Sequence, residues 1–132
     1  MFKSMIKSFK AMLPAAGLLA VITSTSFAQG PVAHLNAAPP HYQGECPAQI
    51  SFNGTIGLTH PGTVRYRFIR SDGARGPFFT LKFVVAGQQN VTSTWRLGGA
   101  RLKHYAGWEA IQIVYPNQTL SNRAMFQMNC EQ

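Results

Sequence analysis

From Cys46 to the end of the chain, apolar and polar residues alternate with a period of two, as they do in strands that turn one face to a core. Ala48, Ile50 and Phe52 are separated by Gln49, Ser51 and Asn53. After the His60-Pro61-Gly62 turn, Val64, Tyr66 and Phe68 alternate with Thr63, Arg65 and Arg67. Ser71-Asp72-Gly73 has the composition of a second turn. Phe79, Leu81, Phe83 and Val85 form the next apolar phase, and Gly87 ends it. Val91, Trp95 and Leu97 follow, with Ser93 interrupting their face, and a Gly98–Gly107 loop leads to Trp108–Tyr115. There Ile111 and Ile113 take the inward phase; after Pro116-Asn117, Ala124, Phe126, Met128 and Cys130 complete the last run. Six short β runs without a helical stripe predict an all-β antiparallel sandwich or small barrel.

The first 28 residues read differently. Lys3, Lys7 and Lys10 precede an apolar run from Ala11 to Ile22, and Ser26-Phe27-Ala28 has the small-x-small pattern of a signal-peptidase site. Residues 1–28 are expected to be a cleaved signal peptide, delivering residues 29–132 to the periplasm or the cell exterior. The apolar run is interrupted by Pro14 and Gly17 and falls short of the roughly 20 residues a spanning helix requires, so no membrane span is expected after cleavage. Residues 29–45 contain Gly30, Pro31, Pro39, Pro40 and Gly44, a composition that predicts a flexible lead-in. Residues 46–132 then form one β domain.

Charge and cysteine content add to this picture. The chain carries 12 Lys and Arg against four Asp and Glu, and losing three lysines with the signal lowers its net charge from +8 to +5. That excess favours anionic neighbours, such as an acidic polysaccharide or envelope component, without implying a specific nucleic-acid partner. Two cysteines in an exported chain predict one disulfide, Cys46–Cys130. Strand parity agrees, since Cys46 shares its phase with Ile50 and Phe52, and Cys130 with Phe126 and Met128. Closing so long a loop is credited with about 4.5 kcal/mol as an upper figure.

The stretch Cys46–Cys130 resembles the immunoglobulin-like domains of secreted bacterial proteins of largely uncharacterised function. The resemblance rests on Arg70-Ser71-Asp72-Gly73, Thr94-Trp95-Arg96-Leu97-Gly98, Gly107-Trp108, Ser121-Asn122-Arg123-Ala124 and the closing Cys130. It implies an immunoglobulin-like sandwich of six to seven strands and speaks for fold far more than for activity. The chain departs from antibody-type domains in one respect: its disulfide would join the first and last predicted strands rather than two central ones.

Candidate chemistry is sparse. Ser71, Asp72 and His104 do not make a credible triad, because Asp72 sits in turn chemistry and no G-x-S-x-G elbow is present, so no catalytic residue is assigned. His34, His41 and Glu45 match no rigid metal-ligand spacing, and neither metal nor cofactor is expected. Three Asn-x-Thr triplets, at Asn53, Asn90 and Asn117, match the glycosylation pattern, but the resemblance to bacterial proteins implies no glycan.

Two groups of residues are candidates for recognition. Arg65, Arg67, Arg70, Arg75, Lys82, Arg96 and Arg123 could form one basic face, although outward basic residues commonly serve only to solvate a sheet. Arg101, Lys103, His104, Tyr105 and Trp108 combine charge and aromatic rings in the longest predicted loop. The expected role is an exported, non-catalytic binding or surface-interaction module that uses strand edges, this loop and the basic face. Assembly into a structural envelope component is an alternative; an accessory domain or small hydrolase is a weaker one. The sequence leaves oligomeric state and partner open.

Overall fold

The computed structural model describes residues 29–131 together with residues 17, 19 and 20, so the expected signal peptide lies almost entirely outside the described residues. Among the described residues no helix is long and apolar enough to cross a membrane.

The alternating runs become strands, and the strands build two layers. In chain order they are β1 (Val32–Ala38), β2 (His41–Gly44), β3 (Ala48–Leu58), β4 (Gly62–Arg70), β5 (Phe79–Phe83), β6 (Gly87–Leu97), β7 (His104–Tyr115), β8 (Thr119–Leu120) and β9 (Ala124–Cys130). One sheet has the order β1-β3-β6; the other runs β2-β9-β7-β4-β5, with β8 against β7. All pairings are antiparallel except β2 with β9, which is parallel.

The inward phase of each strand fills the space between the sheets. Ile50, Phe52 and Ile56 of β3 are fully buried, as are Val64 of β4, Ile111 and Ile113 of β7 and Met128 of β9. At the centre, the Phe126 ring meets Phe52 at 5.8 Å and Trp95 at 5.2 Å, both edge-on. Each such aromatic pair contributes about 0.5–1.5 kcal/mol beyond its burial.

The Cys46–Cys130 disulfide forms, with a Cα–Cα distance of 5.5 Å. It joins Cys46, two positions before the start of β3, to Cys130 at the end of β9 and so staples the two sheets together. Gly98 makes room for it. Its φ of +101° lies in the left-handed region, and a Cβ there would stand 2.7 Å from Cys46 Sγ.

The strand count exceeds expectation because the supposed flexible lead-in is part of the sandwich. Residues 29–45 hold β1 and β2, with β1 paired to β3 from Val32↔Gly57 to Ala38↔Ser51. Leu35 is fully buried and Ala33 nearly so. Proline and glycine punctuate these strands at their ends, and small Ala33, Leu35 and Ala37 suffice for the inward phase. The domain therefore begins before Cys46. Two smaller differences follow from where strands stop: β5 ends at Phe83, leaving Val85 70% exposed, and β7 already starts at His104, shortening the predicted loop.

Candidate functional site

A three-stranded sheet facing a larger one leaves edges of unequal character. The β1 edge is capped at Leu35 by Asn122: its side-chain amide donates to the Leu35 carbonyl at 2.8 Å, and its Oδ1 accepts the Leu35 N–H at 2.9 Å. One side chain thereby imitates a paired strand and blunts that edge. The opposite edge is β6, eleven residues long, which among the described residues pairs with β3 alone. It is open.

Beside this open edge lies a cleft of about 340 Å³ between the layers. Thr92 and Ser93 of β6 form one wall, while Phe68, Ala74, Pro77 and Phe79 form the other. Phe79 belongs to an aromatic cluster with Tyr66 and Phe68 but remains 43% exposed, so this strip of the larger sheet is only partly covered. Burial pushes the Tyr66 hydroxyl pKa up.

Glu109 of β7 also lines the cleft and is 1% exposed. It shares the parity of Ile111 and Ile113, so the pleat turns its carboxylate into the sandwich. Among the described residues neither carboxylate oxygen has a hydrogen-bond partner of acceptable geometry. Burial raises its pKa above the ordinary range; the Ser93 hydroxyl and Arg70 oppose the rise, and Asp72 adds to it. Sequence reasoning missed this residue. The signal was available: a charged side chain in an otherwise apolar inward phase.

Apart from the Ser93 hydroxyl, the polar groups around Glu109 have other partners. Arg70 forms a two-point pair with Asp72, at 3.1 and 3.3 Å, and lies 4.3 Å over the Trp95 ring. Asp72 also accepts the Ala74 N–H at 2.9 Å, the local turn bond its sequence position suggests. Ser71 Oγ accepts the Trp108 N–H at 3.0 Å and shares a hydrogen bond with the Tyr105 hydroxyl at 2.9 Å. Gly107 permits that arrangement, since a Cβ there would sit 2.5 Å from Ser71 Oγ. His104 lies elsewhere, with Nδ1 2.7 Å from Asn129 Oδ1. Ser71, Asp72 and His104 thus have separate partners.

The predicted recognition groups do not stay together. Arg101 and Lys103 are on the loop, but His104, Tyr105 and Trp108 are in β7. Tyr105 points inward against Trp95, and Trp108 has the outward parity, with Arg123 4.4 Å over its ring. The seven-residue basic face also divides. Arg65 and Arg67 flank the Phe78 ring at 4.5 and 4.6 Å on the outer side of the larger sheet, where strand parity also puts Lys82. Arg67 Nε further donates to Gln112 at 2.7 Å. Arg123 lies farther along that face with Trp108. Arg96 faces outward from the other sheet, Arg70 points inward, and Arg75 lines the cleft. The inward turn of Arg70 follows from its phase, shared with Tyr66 and Phe68.

Comparison with solved structures places this architecture among immunoglobulin-like sandwiches. A CARDB domain from Pyrococcus furiosus, solved in complex with di-metal ions, superposes with a TM-score of 0.56 at 9% identity, covering 80% of this chain and 97% of that domain. An alkylpurine DNA glycosylase from Pseudomonas fluorescens, bound to DNA containing an abasic-site analogue, gives a TM-score of 0.52 at 17% identity. That match covers 76% of this chain but 30% of the glycosylase. At these identities the likeness concerns the fold. No protein-family model and no curated protein matches the sequence. Among the described residues no three His, Cys, Asp or Glu side chains gather where they could hold a metal ion.

Proposed function

We propose that this chain is an exported, non-catalytic binding module that captures an extended segment of a partner protein along the open edge of β6. The observation carrying this reading is the contrast between the two edges of the smaller sheet: β1 is capped at its centre by Asn122, whereas the longer β6 pairs with β3 alone among the described residues. A partner strand added there would become the fourth strand of that sheet. Its main chain would supply affinity through ladder hydrogen bonds, and alternate side chains would face the cleft. The disulfide supports an oxidising compartment, in keeping with export. The CARDB-like fold is compatible with a module of this kind, and the Ser71, Asp72 and His104 geometry offers no nucleophile–base pair.

Displayed ten-residue peptides selected against the immobilised domain test the reading. A recovered peptide should slow hydrogen exchange of β6 amides, alternating along the strand. Failure to recover any ligand, or protection confined to other strands, would refute it.

A further inference from the structure

The cleft has a chemistry that a generic strand edge lacks. Its Glu109 carboxylate is almost wholly buried and lacks a hydrogen-bond partner of acceptable geometry among the described residues, the Ser93 hydroxyl being the one neutral group that favours its charged form, while the Phe68 and Phe79 rings line the same cleft. A buried carboxylate without a partner is costly, and the group that best compensates it is a cation. The nearest charges do not fill that role: Arg70 is held by Asp72 and stacked on Trp95, and these two act on Glu109 in opposite directions. Phe68 and Phe79 offer apolar surface for an aliphatic stem, or a ring face for a guanidinium.

We infer that this cleft is a specificity pocket for one lysine or arginine side chain, inserted from an extended partner segment paired with β6. The inference rests on the strand-capture reading above and adds what that strand must carry. A strand on the β6 edge turns alternate side chains between the layers, which is where the cleft lies. The partner is a different protein rather than a second copy pairing β6 to β6. The inward phase of β6 contains Gln89, Val91, Ser93, Trp95 and Leu97, none of them basic, and Arg96 faces the other way. Arg75, exposed among the cleft-lining residues, disfavours a second basic residue beside the first. The pocket therefore selects a single basic residue flanked by uncharged ones, and not a polybasic tract.

The probes are ten-residue Ser/Thr/Val peptides with a central arginine, lysine, norleucine or glutamate, measured by fluorescence anisotropy against the wild type and Glu109→Gln. Arginine or lysine should bind at least tenfold more tightly than norleucine, and glutamate more weakly still. Glu109→Gln should erase the difference between the basic and norleucine peptides. On the unmutated protein the basic preference should also shrink as acid protonates Glu109; Arg70, Asp72 and Arg75 are the other charged groups beside it. Equal affinity for all four peptides, with β6 amides still protected, would overturn the pocket and leave strand capture standing. A basic preference that survives Glu109→Gln would also overturn it. If no peptide protects β6, both readings fall.

Discussion

Replacing Glu109 by methionine should make this protein more stable at neutral pH, although it removes the only charged side chain that is fully buried among the described residues. A buried polar group left without a partner costs about 1–3 kcal/mol, and more when charged. Exchanging buried ionic groups for an apolar side chain of similar volume is often stabilising by about 1–4 kcal/mol. A domain of this size shifts its Tm by roughly 4 °C per kcal/mol, so a rise of about 4–16 °C at pH 7 is expected. The sign depends on pH in a defined way. Glu109 has a folded-state pKa raised above its ordinary 4.5. Below that ordinary value both folded and unfolded chains hold the proton, and no charge penalty exists. As pH rises, the unfolded chain releases its proton first, so folding loses stability until the folded pKa is passed, after which the loss is constant. The advantage of Glu109→Met should therefore be small at pH 4, grow toward neutrality and then level off. Thermal unfolding of both proteins from pH 4 to 8, followed by near-ultraviolet circular dichroism, measures it. An unchanged Tm at pH 7, or a gain equal at every pH, would show that the carboxylate is not an uncompensated charge.

Three further outcomes follow from the packing. Asn122→Ala should lose two hydrogen bonds of about 1 kcal/mol each and expose the β1 edge; light scattering should then show concentration-dependent association, and a monomer of undiminished stability would contradict the capping role. Gly98→Ala places a Cβ against both disulfide sulfurs in a left-handed backbone, so thiol titration should reveal incomplete Cys46–Cys130 bonding or denaturant unfolding should show a loss of about 1–3 kcal/mol; full oxidation at wild-type stability would argue against the steric reading. On a sulfated polysaccharide column, combined Arg65→Ala, Arg67→Ala and Lys82→Ala should advance elution by more salt than Arg96→Ala combined with Lys103→Ala and Arg101→Ala. Equal shifts would mean that only net charge is felt and that the shared outer face has no special affinity.

How much of this was legible in advance depended on whether a property is local. Parity along single strands is local, so the inward residues of β3, β4, β7 and β9 could be read from alternation, as could the Asp72 turn and the cysteine pair. Glu109 was equally readable, two positions before Ile111 in the same phase, but a lone acid among many residues attracts no attention until its surroundings are known. The recognition loop failed because Tyr105 and Trp108 differ in parity and leave β7 on opposite sides. The basic face divided, keeping Arg65, Arg67, Lys82 and Arg123 on one outer side, because Arg96 belongs to the other sheet and Arg70 has the inward phase.

By itself the sequence determined which stretches could be strands and which side chains each would bury, because a pleat alternates at fixed spacing whatever its neighbours. It also determined the covalent link, because the two cysteines of the chain have only each other to pair with. Tertiary structure alone decided which strands are neighbours, and hence that residues 32–44 join the sandwich, that Asn122 caps one edge and that β6 keeps the other open. Pairing is a relation between distant segments, set by how whole layers bury their faces, and no single segment encodes it. The cleft is the consequence of that arrangement: local alternation places the Glu109 side chain inward, and the unpaired β6 edge of the smaller sheet leaves the cleft beside it.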